Sequence, residues 1–399
     1  MSTAVEFRNV DILFGGQSRR AAAQKQAALA ALDAGRSRTE IAEQTGVVVG
    51  VANANLTVAR GEISVLMGLS GSGKSTLLRA ANRLNEVTRG QVLIKDGGAV
   101  VDIAKCDEAT LRRVRRLRIA MVFQQFGLLP WRTVRDNVGF GLELRGEPKA
   151  DSKRIVDEQL ELVGLSQWAD RHVGELSGGM QQRVGLARAF ATNADVLLMD
   201  EPFSALDPLI RGKLQDELLT LQARVKKTIL FVSHDLDEAL KLGDHITILE
   251  GGRVIQTGTA DDIVLRPASD YVAEFVMHMN PLSVLTGAMV MRRGERGQDQ
   301  RVWLDDEHRF QVLIDDTGRP TSMTVDGTEQ PLGHVGEDEI WASDRVGLAV
   351  APASSSLSTL IKLRSATGHP VLLVEDGRLL GSCCQNEIIQ ALAGKRHSH

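Results

Sequence analysis

Apolar positions along this chain change their spacing in a way that separates four regions. Val5, Phe7, Val10, Ile12 and Leu13 form a strand candidate that ends at Phe14-Gly15-Gly16. Arg19 to Gln44 is alanine-rich and helix-favouring, with a break at Gly35. Its second half opens on Ser37-Arg38-Thr39-Glu40, the spacing of a capping box. From Val47 to about Gly258, short apolar strands alternate with helical patterns, which predicts an α/β fold around a mostly parallel sheet. Val196-Leu197-Leu198-Met199 and Ile229-Leu230-Phe231-Val232 are continuous apolar runs, as strands covered on both faces require. From about Asn280 the pattern changes to that of a small, separate α+β unit, and the first domain has no tandem repeat. The expected organisation is a domain over residues 1–279, with a helical insertion at about 17–46, and a second domain over 280–399.

Composition narrows the classes. A chain of 399 residues is long for one ordinary domain and can bury a large core. Charged residues make up 25% and the formal net charge is -4, so bulk electrostatics give no reason to expect nucleic acid. Ala30 to Gly46 resembles the front half of a DNA-binding helix-turn-helix, but Val47 to Val51 is strand-like where the reading helix should follow. A helical insertion packed on the first domain is expected instead, with no nucleic-acid partner. The three cysteines, Cys106, Cys383 and Cys384, are too few for a disulfide framework and suggest no metal site, which fits a reducing cytoplasm. Met1 to Asn9 lacks the basic-then-apolar order of a signal peptide. No apolar stretch approaches the roughly 18 to 20 residues a spanning helix needs, so any membrane connection is expected through partners.

The chemistry-bearing residues begin after the apolar run Ile63 to Met67. Gly68-Leu69-Ser70-Gly71-Ser72-Gly73-Lys74-Ser75-Thr76 reads G-x-x-x-x-G-K-[ST] and opens the helical pattern Leu77-Leu78-Arg79-Ala80-Ala81. Glycines let backbone N–H groups wrap a phosphate, and the helix N-terminus adds a favourable dipole. Lys74 would reach the β- and γ-phosphates, and the Ser75 hydroxyl would take one position on Mg²⁺. This loop alone leaves kinase, GTPase and transport motor open. Asp200-Glu201 follows the buried run Val196 to Met199. Asp200, at the carboxyl end of a strand, can hold Mg²⁺ through water, and Glu201 can polarise the attacking water. Leu176-Ser177-Gly178-Gly179-Met180-Gln181 opens a further helix and offers a second anion cradle. One nucleotide does not need two cradles on one domain. Two copies placed head to tail, each lending its cradle to the other's ATP, are therefore expected.

With these motifs in one chain, the region from about Val5 to Gly258 resembles the ATP-binding subunits of ABC transporters. The resemblance implies a P-loop NTPase fold of ABC type, with a parallel-sheet core, an antiparallel β part and a helical subdomain. It implies that Gln124, in Met121-Val122-Phe123-Gln124-Gln125-Phe126, touches Mg²⁺ and relays to a membrane partner; the Phe-Gln order favours Gln124 over Gln125. Ser204-Ala205-Leu206-Asp207 matches the D-loop, and His234 matches the switch histidine that contacts the γ-phosphate. Phe14 is the candidate for the aromatic that stacks on adenine. The expected ligands are ATP and Mg²⁺. Glu201, His234, Lys74 and Gln124 would carry hydrolysis on one subunit, and Ser177 and Gly179 would come from the other.

The presence of one ATP-binding unit and no fused membrane helices argues against two-unit translation factors and the usual exporter layout. Ile63 to Thr76, Asn82-Arg83-Leu84-Asn85-Glu86 and Phe126-Gly127-Leu128-Leu129-Pro130 are similar to the quaternary-amine importers, as is the insertion between Phe14 and Val47. Trp131 stands where that family commonly has histidine. The resemblance implies an ATP-hydrolysing subunit that drives uptake of a quaternary amine such as choline or glycine betaine. Another small polar solute, such as histidine or proline, and a non-transport ABC regulator stay open. Implied partners are a second copy, membrane permease subunits and, indirectly, a solute-binding protein, with the chain peripheral on the cytoplasmic face of the inner membrane. Gln124 and Gly127 to Asn137, with apolar Phe126, Leu128, Leu129 and Trp131, would dock a permease coupling helix. In the C-terminal region, Leu357, Leu360 and Ile361 have helical spacing and His369 to Val374 reads as a strand. Glu375 to Gly381, followed by a closing helix Gln385 to Ala393, resembles a CBS half, from which Val302 to Val325 departs. A dimerising or regulatory appendage is expected there, rather than a ligand sensor.

Overall fold

The structure, a computed structural model, describes residues 2–15, 19–277, 282, 285–296, 300–304, 309–325, 327–330, 332–334 and 348–392. The expected domain boundary at 279/280, the first residues of the insertion and Ala393 lie outside the described residues. The chain divides into two compact units, Met1–Ile263 with Pro267–Val272, and Val264–Arg266 with Ala273–His399.

The first unit opens with β1 (Thr3–Phe14), passes through α1 (Arg19–Asp33) and α2 (Arg38–Thr45), and returns as β2 (Val48–Ala59), antiparallel to β1. Next, β3 (Ile63–Met67) leads through the glycine loop into α3 (Lys74–Ala80). β4 (Arg89–Asp96) and β5 (Ala99–Asp102) complete an antiparallel sheet ordered β2-β1-β4-β5. After α4 (Glu108–Leu117) and β6 (Ile119–Val122), the helices α5 (Val134–Arg145), α6 (Lys149–Leu162) and α7 (Gly178–Ala191) pack on one another as a helical subdomain. The unit continues with β7 (Val196–Asp200), α8 (Pro208–Val225), β8 (Thr228–Val232), α9 (Leu236–Leu242), β9 (His245–Glu250) and β10 (Arg253–Gly258).

The second sheet is ordered β10-β9-β3-β8-β7-β6 and is parallel except for the β9–β10 hairpin. Every residue of β3, β7 and β8 is buried, which explains why they read as nearly continuous apolar runs, with Ser64, Asp200 and Thr228 as buried polar exceptions. Val5, Phe7 and Ile12 from the antiparallel sheet join Leu66, Leu198 and Leu230 from the parallel one, and Leu77 and Leu78 from α3, in one core. Helix α3, which the glycine loop opens, is therefore rooted in the core that the two sheets share.

The insertion folds as helices and then strand, as its pattern predicted. Ser37 caps α2, its Oγ accepting from Glu40 N while Glu40 Oε2 accepts from Ser37 N at 2.8 Å. Ala28, Leu32 and Ile41 bury themselves against Leu13, Val47, Val49 and Ala52. Arg89 clamps the hairpin from below: its Nη2 donates to Asp33 Oδ1 at 2.7 Å and its Nε to buried Asp11 Oδ2 at 2.6 Å.

In the second unit, β11 (Glu295–Arg296), β12 (Arg301–Trp303), β13 (Phe310–Ile314), β14 (Pro320–Val325) and β15 (Thr328–Gln330) form an antiparallel sheet in chain order. β16 (Leu332–His334), β17 (Leu348–Pro352) and β18 (Val371–Glu375) are parallel, and β19 (Arg378–Cys383) returns antiparallel to β18. Helix Leu357–Thr367 links β17 to β18, and helix Gln385–Leu392 follows β19. Val302, Leu304, Val312, Met323, Val350 and Leu372 make its core. Among the described residues no helix is long and apolar enough to cross a membrane.

Candidate active site

The loop between β3 and α3 requires glycine at both ends. Gly68 has φ +143° and a Cβ there would lie 2.1 Å from Leu249 O; Gly73 has φ +100° and its Cβ would lie 2.6 Å from Gly50 O. Gly73 caps α3 without a side-chain bond, so the first-turn N–H groups are not consumed by a cap. Lys74 is buried, and its Nζ donates to Gly68 O at 2.7 Å and Leu69 O at 2.9 Å. Burial lowers its pKa from the ordinary lysine value, and the charges of Glu201 and Asp200 oppose that shift. Ser75 Oγ donates to Asp200 Oδ1 at 2.7 Å, and Arg79 Nη2 pairs with Asp200 Oδ2 at 2.7 Å. Asp200 is fully buried at the end of β7, so its charge depends on these partners and on nearby Lys74. The Ser75 hydroxyl and the Asp200 carboxylate are hard oxygen donors at the base of a phosphate-type loop, and that donor set fits Mg²⁺.

One residue beyond, Glu201 adopts φ +50°, a left-handed conformation that turns the chain sharply out of the strand. Its amide donates to Val232 O at 3.2 Å. Gln124 Nε2 donates to Glu201 Oε2 at 3.3 Å, and His234 Nδ1 lies 3.4 Å from the same oxygen. His234 is 63% exposed, so it borders solvent and is not a core histidine. Four separate stretches of chain thus converge: the loop with α3, the end of β6, the end of β7 and the end of β8. Glu201, His234, Phe203, Ser204, Arg211 and Asp235 line a small cleft at this point.

Phe14 ends β1 and is 42% exposed. A Cβ on Gly50 would lie 2.6 Å from Phe14 Cε2 and 3.1 Å from Thr76 Cγ2, so the ring rests beside Gly50 and close to the loop's last residue. Ser70 and Leu69 are exposed on the loop, whereas Ser72 is buried beneath it. The second cradle stands apart. Ser177 caps α7 and is exposed, with Gly178 and Gly179 in the first turn. Gln181 Nε2 donates to Val173 O and Leu176 O, both at 3.1 Å, and Asp207 caps α8 by accepting from Ile210 N at 3.0 Å. Among the described residues no hydrogen bond joins residues 177–181 to 68–76 of the same chain.

Sequence reasoning missed four residues that build this site. Gln182 is fully buried and bridges the Glu201 turn to the D-loop: its Nε2 donates to Glu201 O and its Oε1 accepts from Ala205 N, both at 3.0 Å. Arg79 holds Asp200. Gly50 supplies the carbonyl against which Gly73 and Gly252 close. Tyr271, the chain's only tyrosine, places its hydroxyl 3.4 Å from Leu69 N. Only Gln182, next to the Ser-Gly-Gly stretch, carried a local signal.

The ABC transporter family profile matches residues 51–204. The chain is 42% identical to the glycine betaine/proline betaine transport system ATP-binding protein ProV of Escherichia coli (strain K12), covering 98% of each. It is 40% identical to the glycine betaine transport ATP-binding protein OpuAA of Bacillus subtilis (strain 168), covering 98% of this chain and 92% of that protein. It is 48% identical to the trimethylamine N-oxide transport system ATP-binding protein TmoW of Ruegeria pomeroyi, over 69% of this chain and 79% of that one. Among solved structures, the dimeric post-hydrolysis state of the ATP-binding cassette MJ0796, bound to ADP and Pi, is similar with a TM-score of 0.53 and 29% identity, covering 64% of this chain and 98% of that one.

Proposed function

We propose, from the premise that this chain belongs to the ABC transporter family of ATP-binding subunits, that it is the ATP-hydrolysing motor of an importer for a small methylated amine such as glycine betaine or choline. The observation that carries the catalytic part is the convergence of Gln124 and His234 on one carboxylate oxygen of Glu201, one residue from the Ser75–Asp200 pair. Lys74 and the amides of Gly68 to Thr76 bind the phosphates, and Phe14 stacks on the adenine. Ser75, Asp200 and Gln124 would hold Mg²⁺, which when bound offsets charge on the phosphate oxygens. Glu201 takes a proton from water as the water oxygen bonds to the γ-phosphorus and the bond to the bridging oxygen of ADP breaks. His234 donates toward the charge that grows on the transferred group.

A second copy supplies Ser177, Gly178, Gly179, Gln181 and Asp207. The exposure of Ser177 and its lack of hydrogen bonds to its own phosphate loop support this exchange. The similar cassette was solved as a dimer. The segment Gly127 to Asn137, where Trp131 is 71% exposed, docks the permease on the cytoplasmic face of the membrane. Residues 280–399 act as a dimerising or regulatory appendage. The methylated-amine class follows the transport systems named for the relatives.

Full-length Glu201→Gln should bind ATP, form a dimer in light scattering, and lose about 10²- to 10⁴-fold in turnover. Turnover near that of the wild type would remove Glu201 from its role. Co-reconstitution with the permease and solute-binding protein should give ATP-dependent uptake of glycine betaine or choline. Uptake of histidine alone would overturn the substrate class.

A further inference from the structure

We propose that Arg38, at the start of α2, is a positioning residue for the phosphate loop, which makes the helical insertion a working part of the nucleotide pocket. The inference rests on the ATP reading above and adds a residue to it from a segment outside every nucleotide motif in the chain. Arg38 Nη1 donates to Gly71 O at 3.1 Å. The next carbonyl of the loop, Ser72 O, accepts from Gly252 N at 3.0 Å. Two successive peptide groups of the loop are therefore pinned from outside, and the Arg38 side chain runs along the same turn, its Cδ 3.9 Å from where a Gly251 side chain would begin.

Pinning matters most at this point of the loop. Gly71 has φ +76° and nothing lies within 4 Å of where its side chain would be, so packing does not fix this peptide; its Ser72 N–H donates to Leu69 O at 3.1 Å, and Arg38 holds the carbonyl end. A guanidinium on the carbonyl sets the peptide plane and polarises it through a charge-assisted bond. Pre-set amides bind phosphate without first losing backbone entropy.

Arg38 can do this because its own base is rigid. The Ser37–Glu40 capping box fixes the first turn of α2, fully buried Ile41 roots the helix, and Arg89 holds Asp33 at the end of α1. Neighbouring Arg36 pairs with Glu40 at 3.5 Å, whereas Arg38 makes no ion pair among the described residues and spends its charge on the loop.

The test uses the full-length chain, with mant-ATP binding and steady-state ATPase kinetics on wild type, Arg38→Ala, Arg38→Lys and Arg38→Gln. Arg38→Ala should raise both Kd and KM about three- to tenfold, the range for loss of one solvent-exposed charged hydrogen bond, with kcat within about twofold. Arg38→Lys, which keeps a charged donor, should recover most of the loss, a rescue that a purely structural anchor would not require. Amide exchange at residues 69–76 should quicken in nucleotide-free Arg38→Ala and not in Arg38→Lys. If Arg38→Ala folds poorly, Arg38→Gln carries the same expectation at lower amplitude. Wild-type Kd and KM in both Arg38→Ala and Arg38→Gln would overturn the inference and leave the ATP reading standing. A wild-type chain that binds no mant-ATP would overturn both.

Discussion

Gln182 gives the sharpest test of how the Glu201 carboxylate, proposed above as the base, is held. It is fully buried, donates to Glu201 O and accepts from Ala205 N, so replacing it with leucine removes two hydrogen bonds at similar volume. Glu201 O keeps a second donor, Ser204 Oγ at 3.0 Å, so the larger loss falls on the Ala205 amide. Ala205 is itself exposed, so water takes up part of that loss, and the two lost bonds together cost about 1–3 kcal/mol. Against this, the left-handed turn at Glu201 is itself unfavourable by about 1–2 kcal/mol and persists because its surroundings enforce it. With Gln182 gone, relaxation of that turn moves the carboxylate away from Gln124 and His234. About 1.4–2.7 kcal/mol of this reaching the transition state corresponds to a fall in kcat of about 10- to 100-fold. Lys74 and the phosphate loop are untouched, so the Kd for ATP should stay within about twofold. Gln182→Glu, which keeps the acceptor for Ala205 N and loses the donor, should fall between the two. The measurements are ATPase kinetics and equilibrium ATP binding on the full chain. A Gln182→Leu variant with kcat within twofold of wild type, or one whose loss appears wholly in Kd, would refute this account.

Two further outcomes follow from burial elsewhere. Glu238, in the first turn of α9, accepts from Ser233 Oγ at 2.6 Å and Gln215 Nε2 at 2.9 Å, and burial raises its pKa above the ordinary 4.5 despite those bonds. A raised carboxyl adds stability that is fully present below the unfolded value and lost as pH rises through the folded one. Glu238→Gln should therefore melt higher than wild type at pH 8, with the gap closing below pH of about 4.5; equal melting temperatures at both pH values would count against a buried, costly charge. Cys383 is fully buried and its thiol is pushed up to about 12, chiefly by burial, whereas Cys106 and Cys384 are partly exposed. Iodoacetamide at pH 8 should label Cys106 and Cys384 in the folded chain and spare Cys383 until denaturant is added; mass spectrometry showing Cys383 labelled first would contradict this packing.

Local chemistry made part of the architecture readable from order alone. Strands β3, β7 and β8 are buried on both faces, and such strands are built mostly of apolar residues, so Ile63–Met67, Val196–Asp200 and Thr228–Val232 announce themselves, with Ser64, Asp200 and Thr228 as their buried polar exceptions. The capping box at Ser37 and Glu40 is likewise a contact between residues three apart. The phosphate loop belongs to this class too, because its left-handed glycines, lysine and hydroxyl are consecutive. The second unit was less readable. Its short antiparallel strands from Glu295 to Gln330 lack a strong period, and their pairing depends on hairpin register, which local pattern specifies weakly.

Contacts between distant segments were decided only by the folded chain. Gly50, Gly73 and Gly252 are far apart in order, yet the Gly50 carbonyl sits where a side chain on either of the others would collide. Arg79 reaches Asp200, Gln182 bridges Glu201 to Ala205, and Arg38 reaches Gly71 for the same reason: two sheets and a helical hairpin share packed interfaces that bring these groups within hydrogen-bond distance. A residue's chemistry and its neighbours' spacing are written in the sequence. Which carbonyl or carboxylate its side chain meets across a core is set by packing, and packing integrates the whole chain at once.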